Sequence, residues 1–187
     1  MRTTVVVVAL AAALSTFACT AEAGSGHGTH DAAKPAAPAT AKTPAGPIGT
    51  VLGEAEVLRQ TLADDRTDTL SASATKLDTA AKALDAQATK VPGGEGLTAA
   101  TKALVDVTSQ PTIDLKVVRV AYGELQKALV GIIAADASLQ AGRYLFECPM
   151  AKGYQRWVQV TPQMANPYMG KRMLECGMAL EAWKVAG

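Results

Sequence analysis

Two of the three cysteines and five of the six methionines lie between Cys148 and Met178. Thiolates and thioethers are soft donors, and a cluster of them selects Cu(I) over hard ions. The spacing divides these donors into two pieces. Residues 166–177 open on Asn166, a good N-cap, followed by Pro167, which is favoured at the first helical position. They close on Gly177, favoured just past a helix end. This predicts a helix of about ten residues on which Met169, Met173 and Cys176, at i, i+4 and i+7, share one face. Upstream, Cys148 and Met150 are one residue apart, so both side chains point the same way if 144–150 is extended. Joined, the pieces would make a site of two thiols and two or three thioethers: Cys148, Met150, Met169, Met173 and Cys176.

Other chemistry fits the same residues. Cys148 and Cys176 could form a disulfide in an oxidising compartment, and closing that loop would stabilise the fold by roughly 3–4 kcal/mol. A reducible pair could also alternate between disulfide and metal thiolate. Methionine also fills irregular core gaps, although filler alone does not account for five methionines gathered at one end. No Cys-x-x-Cys or activating histidine supports a thiol–disulfide enzyme. Six of the eight aromatics (Tyr144, Phe146, Tyr154, Trp157, Tyr168, Trp183) share this end. Trp157 and Tyr168 are expected as a hydrophobic lid over the cluster, with Trp183 packing the last helix.

The elements that must position these residues are helices. Val51, Ala55, Leu58 and Leu62 recur at helical spacing, as do Leu70, Ala74, Leu77, Ala81, Leu84 and Ala88. Leu97, Ala100, Leu104 and Val107 form a third stripe. Val118, Tyr122, Leu125, Leu129, Ile132 and Asp136 form a fourth, apolar until its last member. Breaks fall at Asp64-Asp65-Arg66, at Pro92-Gly93-Gly94 and at Pro111. The expected fold is all-α: an antiparallel four-helix bundle with the Cys/Met-rich segment, about 144–178, packed on it. The stripes carry no histidine and no inward Glu-x-x-His, and the chain has no Gly-rich phosphate loop and no Gly-x-Ser-x-Gly. The bundle therefore reads as scaffold, and the protein as no enzyme.

Composition narrows the setting. A formal charge of +1, from 18 basic and 17 acidic side chains, provides no footprint for nucleic acid and no polybasic membrane patch. Arg2 and the apolar run Val5–Leu14 form an export signal, too short to span a bilayer. Two cleavage sites compete. Ala21-Glu22-Ala23 would release a chain beginning at Gly24 (signal 1–23). Thr16-Phe17-Ala18-Cys19 would act as a poor lipobox, with Cys19 lipidated (signal 1–18) and the anchor as the only membrane contact. Both leave two cysteines in the mature fold and place it in the periplasm or cell envelope. Residues 24–47, rich in Gly, Pro, Ala and Thr, form a flexible linker, in which His27 and His30 read as solvated spacer residues ahead of the alternative, a weak metal-collecting pair. The domain then runs from 48 to 187.

Cys148-Pro149-Met150, Trp157, Asn166-Pro167-Tyr168, Gly170, Met173-Leu174 and Cys176-Gly177 together resemble the C-terminal signature of a periplasmic domain of unknown function. That domain occurs alone and fused to membrane-fusion proteins of copper- and silver-efflux systems. The match is specific over the last forty residues and one of type and length over 48–140. The resemblance implies copper or silver handling, with Cys148, Met150, Met173 and Cys176 as motif positions. Met164, Met169 and Met178 lie outside the pattern. The expectation is an exported protein that binds Cu(I), or Ag(I), as its cofactor. It would buffer copper, confer resistance or deliver the ion by ligand exchange to efflux or delivery proteins of the envelope. The rival expectation is a disulfide-stapled helical interaction module of the envelope with no metal.

Overall fold

The computed structural model describes residues 41–87 and 91–183. The signal segment, Cys19, the histidines His27 and His30, and Ala88 lie outside these residues. Helix α1 spans Pro47–Ala63, α2 Leu70–Asp85, α3 Leu97–Thr108 and α4 Leu115–Ala135. Pro47 sits at the first position of α1, where its missing N–H costs no hydrogen bond. Asp114 caps α4, its Oδ1 accepting from the Lys116 amide at 2.8 Å. Asp136, the polar end of the fourth stripe, is the residue that follows α4.

Each helix packs mainly on its neighbours in sequence, burying the leucines of the four stripes. Alanines interleave with them: Ala55, Ala74, Ala81, Ala100 and Ala128 are all buried. Small residues let the axes approach, but they contribute little apolar area, so the core between the helices is thin. No helix among the described residues is long and apolar enough to cross a membrane.

The all-α expectation is wrong. After a 3-10 turn at Ala137–Leu139 the chain forms strand β1 (Tyr144–Glu147), then β2 (Arg156–Gln159) and β3 (Met178–Leu180). They make an antiparallel sheet in the order β2-β1-β3. The fold is mixed: four helices and a three-stranded sheet. The reason lies in the residues, since Tyr-Leu-Phe-Glu and Arg-Trp-Val-Gln are aromatic and branched, suited to a pleated, half-buried surface. They are separated by a stretch containing Pro149 and Gly153, which turns the chain back on itself. Phe146 pairs with Trp157 across the ladder, ring centroids 5.3 Å apart, and Glu147 pairs with Arg156 through a 2.8 Å ion pair.

Strand β2 packs against α4. Buried Gln126 joins them: its Oε1 accepts from the Val158 amide at 2.9 Å, and its Nε2 donates to the Tyr122 hydroxyl at 2.7 Å. Trp157, fully buried, stands edge-on to Tyr168, and Tyr168 edge-on to Tyr122. The aromatics thus fill the space between α4 and the sheet, where alanine-rich helices lack the volume to do so. Trp183, expected on a last helix, lies beyond β3 and is partly buried against the same core.

Candidate functional site: a thiol pair at the end of the central strand

The expected helix over 166–177 does not form. Asn166 does cap a turn, its Oδ1 accepting from the amides of Tyr168 (2.8 Å) and Met169 (3.1 Å). The chain then enters a 3-10 helix of only four residues, Gly170–Met173. Gly170 is responsible. It has φ +64°, outside the helical region, and a Cβ there would run into the Asp65 carboxylate. That carboxylate accepts from the Lys171 amide at 2.9 Å and pairs with Arg119. Arg119 also donates to the carbonyls of Pro167 and Leu62, both at 2.9 Å. The α1–α2 loop, α4 and the 166–173 turn therefore meet at one ion pair.

Asn166 is fully buried, and its second function lies at the other end of the loop. Its Nδ2 donates to the carbonyl of Cys176, while its own amide donates to Leu174 O at 2.8 Å. Gly177 then carries the chain into β3 with φ +145°. A Cβ at that position would stand 2.6 Å from Glu147 O and 3.2 Å from both Trp157 Cη2 and Met164 Sδ. Only glycine lets the backbone pass so close to the end of β1. These two constraints bring Cys176 to Cys148.

The two sulfurs are 3.7 Å apart. Cys148 is buried at the end of β1, its amide bonded to Gln155 O at 2.9 Å and its carbonyl accepting from Ala151. The strand stops at Glu147, so 144–150 is not extended throughout, and Met150 falls in the following turn. It is 57% exposed, yet its Sδ lies 3.8 Å from Cys176 Sγ. A row of sulfurs results, in which one S–H···S hydrogen bond joins Cys148 and Cys176 and Cys176 donates to the Met150 thioether. The hydrogen bond with Cys148, with desolvation added, raises the Cys176 thiol above its ordinary pKa.

The remaining sulfurs are distributed elsewhere. Met169 lines a cavity with Met150, between α4 and the two turns. Met173 is half-buried on the 3-10 helix, its carbonyl accepting from the Cys176 amide. The shared face of Met169, Met173 and Cys176 depended on a helix that Gly170 prevents. Met164, outside the expected set, packs its sulfur near Trp157 and Gly177.

Two expectations are thereby overturned. Among the described residues no group of three or more His, Cys, Asp or Glu side chains could hold a metal ion. The donors present are two thiols and one neutral thioether, so a copper cofactor, Cu(I) or Ag(I), and a metal-binding or heavy-metal-resistance role are not supported. Nor does a disulfide join Cys148 and Cys176: both are free thiols, with sulfurs well beyond bonding distance. Trp157 and Tyr168 form the core behind the site rather than a lid over it. Asn166 acts as the cap its type predicts and, through Nδ2, also as a tie to Cys176 that capping does not predict, while Gln126 and the Asp65–Arg119 pair are positioning residues that no motif marks. Asn-Pro-Tyr ahead of a mid-segment glycine was the legible signal for Asn166, while the other three had none beyond their polarity on helical stripes or in a loop.

Compared with known proteins, the chain matches no family model, no curated protein and no solved structure.

Proposed function

We propose that this protein is an exported, non-enzymatic interaction module of the cell envelope whose C-terminal cap is set by a reversible thiol pair. The observation that carries this reading is the 3.7 Å approach of Cys148 and Cys176 where the end of the central strand β1 meets the 166–176 loop. The apolar run Val5–Leu14, followed by small residues, supports export, and the C-terminal motif's resemblance to a periplasmic domain fits that setting. In the reduced form the pair is held by packing and hydrogen bonds alone. Exchange with a low-molecular-weight disulfide would proceed in two steps. One cysteine thiolate attacks the reagent and releases one thiol. The other then attacks the resulting mixed disulfide and releases the second. Two protons and two electrons leave the cysteines, and the reagent is reduced to two thiols. Closure joins residues 28 apart in sequence, worth about 3–4 kcal/mol on the chain-entropy argument.

The test is to treat the reduced protein with oxidised glutathione and follow free thiols, mass and melting temperature. The expected product is a monomer that has lost both thiols, carries no adduct and melts higher. The Cys148→Ser variant should gain no stability from the same treatment. A stable glutathione adduct on Cys176, or covalent dimers, would show that the pair does not close.

A further inference from the structure

Three of the six large apolar residues exposed among the described residues cluster in one place. Val117 (49% exposed) and Val120 (45%) lie at i and i+3 on α4, and Met150 (57%) borders the same cavity as Val120. The cavity holds about 180 Å³, below the usual range for a whole small-molecule ligand and suited to one bulky side chain. Its inner wall is apolar and soft: Ala151 and the buried Tyr168, with thioethers from Met150 and Met169. Thioethers contact aromatic rings favourably, and methionine-rich surfaces adapt to what enters them.

Around this wall stand cations. Lys116 and Lys152 line the cavity and are exposed, and neither ammonium has an ion-pair partner among the described residues. Arg119 also lines it, held in place by Asp65 and the Pro167 and Leu62 carbonyls. Asp114, the residue that caps α4 just ahead of Lys116, is engaged in that cap. An apolar hole beside two unmatched positive charges favours an apolar group flanked by negative ones.

We infer that this cavity is a docking site for an aromatic side chain carried on an acidic segment of a partner protein. The inference rests on the interaction-module reading and names the partner's chemistry. The aromatic ring would enter between Met150, Met169 and Tyr168, and flanking carboxylates would meet Lys116 and Lys152. Because Met150 Sδ is 3.8 Å from Cys176 Sγ, an occupant that touches Met150 is one side chain away from the thiol pair.

The probe is a fluorescein-labelled peptide, Gly-Glu-Glu-Phe-Glu-Glu-Gly, titrated with the protein and followed by polarisation. Saturable binding is expected, weakening as salt is raised. Phe→Ala in the peptide, or Lys116→Glu with Lys152→Glu in the protein, should each weaken it about tenfold. Bound peptide should also slow alkylation of Cys176, a readout that a remote site would not move. No binding, equal binding of the Phe→Ala peptide, or equal binding of a peptide with lysine in place of glutamate would overturn the proposal. So would phenylacetate displacing the peptide at an affinity matching the peptide's own, because the cavity would then serve a free small molecule. Circular dichroism of the double lysine variant checks that its fold is retained. Glutathione closure of the thiols does not depend on this site, so failure here leaves that reading to its own test.

Discussion

Asn166 Oδ1 holds two amides at the start of a turn, and its Nδ2 holds the Cys176 carbonyl at the end of the same loop. One buried side chain therefore sets the position of a thiol ten residues away. Asn166→Ala would strip partners from three backbone groups, the Tyr168 amide among them buried. The expected cost is about 2–4 kcal/mol, read from denaturant unfolding. A second readout separates positioning from bulk stability: under native conditions, iodoacetamide should alkylate Cys176 faster in the variant. An unchanged alkylation rate would mean that Gly177 and the 3-10 helix hold the cysteine without Asn166. Little of this is legible in composition, because an asparagine before a proline signals a cap and says nothing of what its amide nitrogen will find.

At the scale of elements, the four helices were legible and the strands were not. A helical stripe repeats over several turns, so Leu70, Leu77 and Leu84 reinforce one another as evidence. A four-residue strand offers two alternations at most. Tyr144–Glu147 becomes a strand because β2 and β3 pair with its two edges, which is a long-range fact. The helix that the caps at 166–177 predict fails for the opposite reason: both caps are local signals, while Gly170 between them takes a positive φ against Asp65. Gln126 shows how the sheet is tied to the helices. Gln126→Leu keeps roughly the same volume but leaves the Val158 amide buried without an acceptor, at a cost of about 1–3 kcal/mol. A melting temperature equal to wild type would show that water replaces the amide. Hydrogen exchange at Val158 gives the local reading, and its protection should fall more than that of α2 core amides.

For the whole molecule, the Asp65–Arg119 pair joins the α1–α2 loop, α4 and the C-terminal turn. Partial desolvation pushes the Asp65 carboxyl upward. The Arg119 hydrogen bond, the Lys171 amide and the charges of Arg119 and Lys171 outweigh it, so its pKa lies below the ordinary aspartate value. A depressed carboxyl contributes stability that is fully present above its unfolded pKa, about 3.9. That contribution is lost as pH falls from there through the lower folded value. The melting temperature of wild type should exceed that of Asp65→Asn near neutrality, and the gap should close as pH drops below about 4. A gap that persisted unchanged into acid would mean that the charge of Asp65 contributes nothing.

The apolar period of the chain was enough, by itself, to determine where four helices run and where they break, since that pattern is local and repeated. The gathering of sulfur near one end is equally a property of the sequence. Which sulfurs meet was decided only by the tertiary structure. Cys148 reaches Cys176 because β1 pairs with β3, because Gly177 can pass beside Glu147 and Trp157, and because Asn166 closes the loop between them. The helix that would align Met169, Met173 and Cys176 on one face does not form, because a left-handed glycine held against Asp65 interrupts it. Spacing along a chain becomes proximity in space only through the backbone conformation between the residues, and here contacts from distant segments set that conformation.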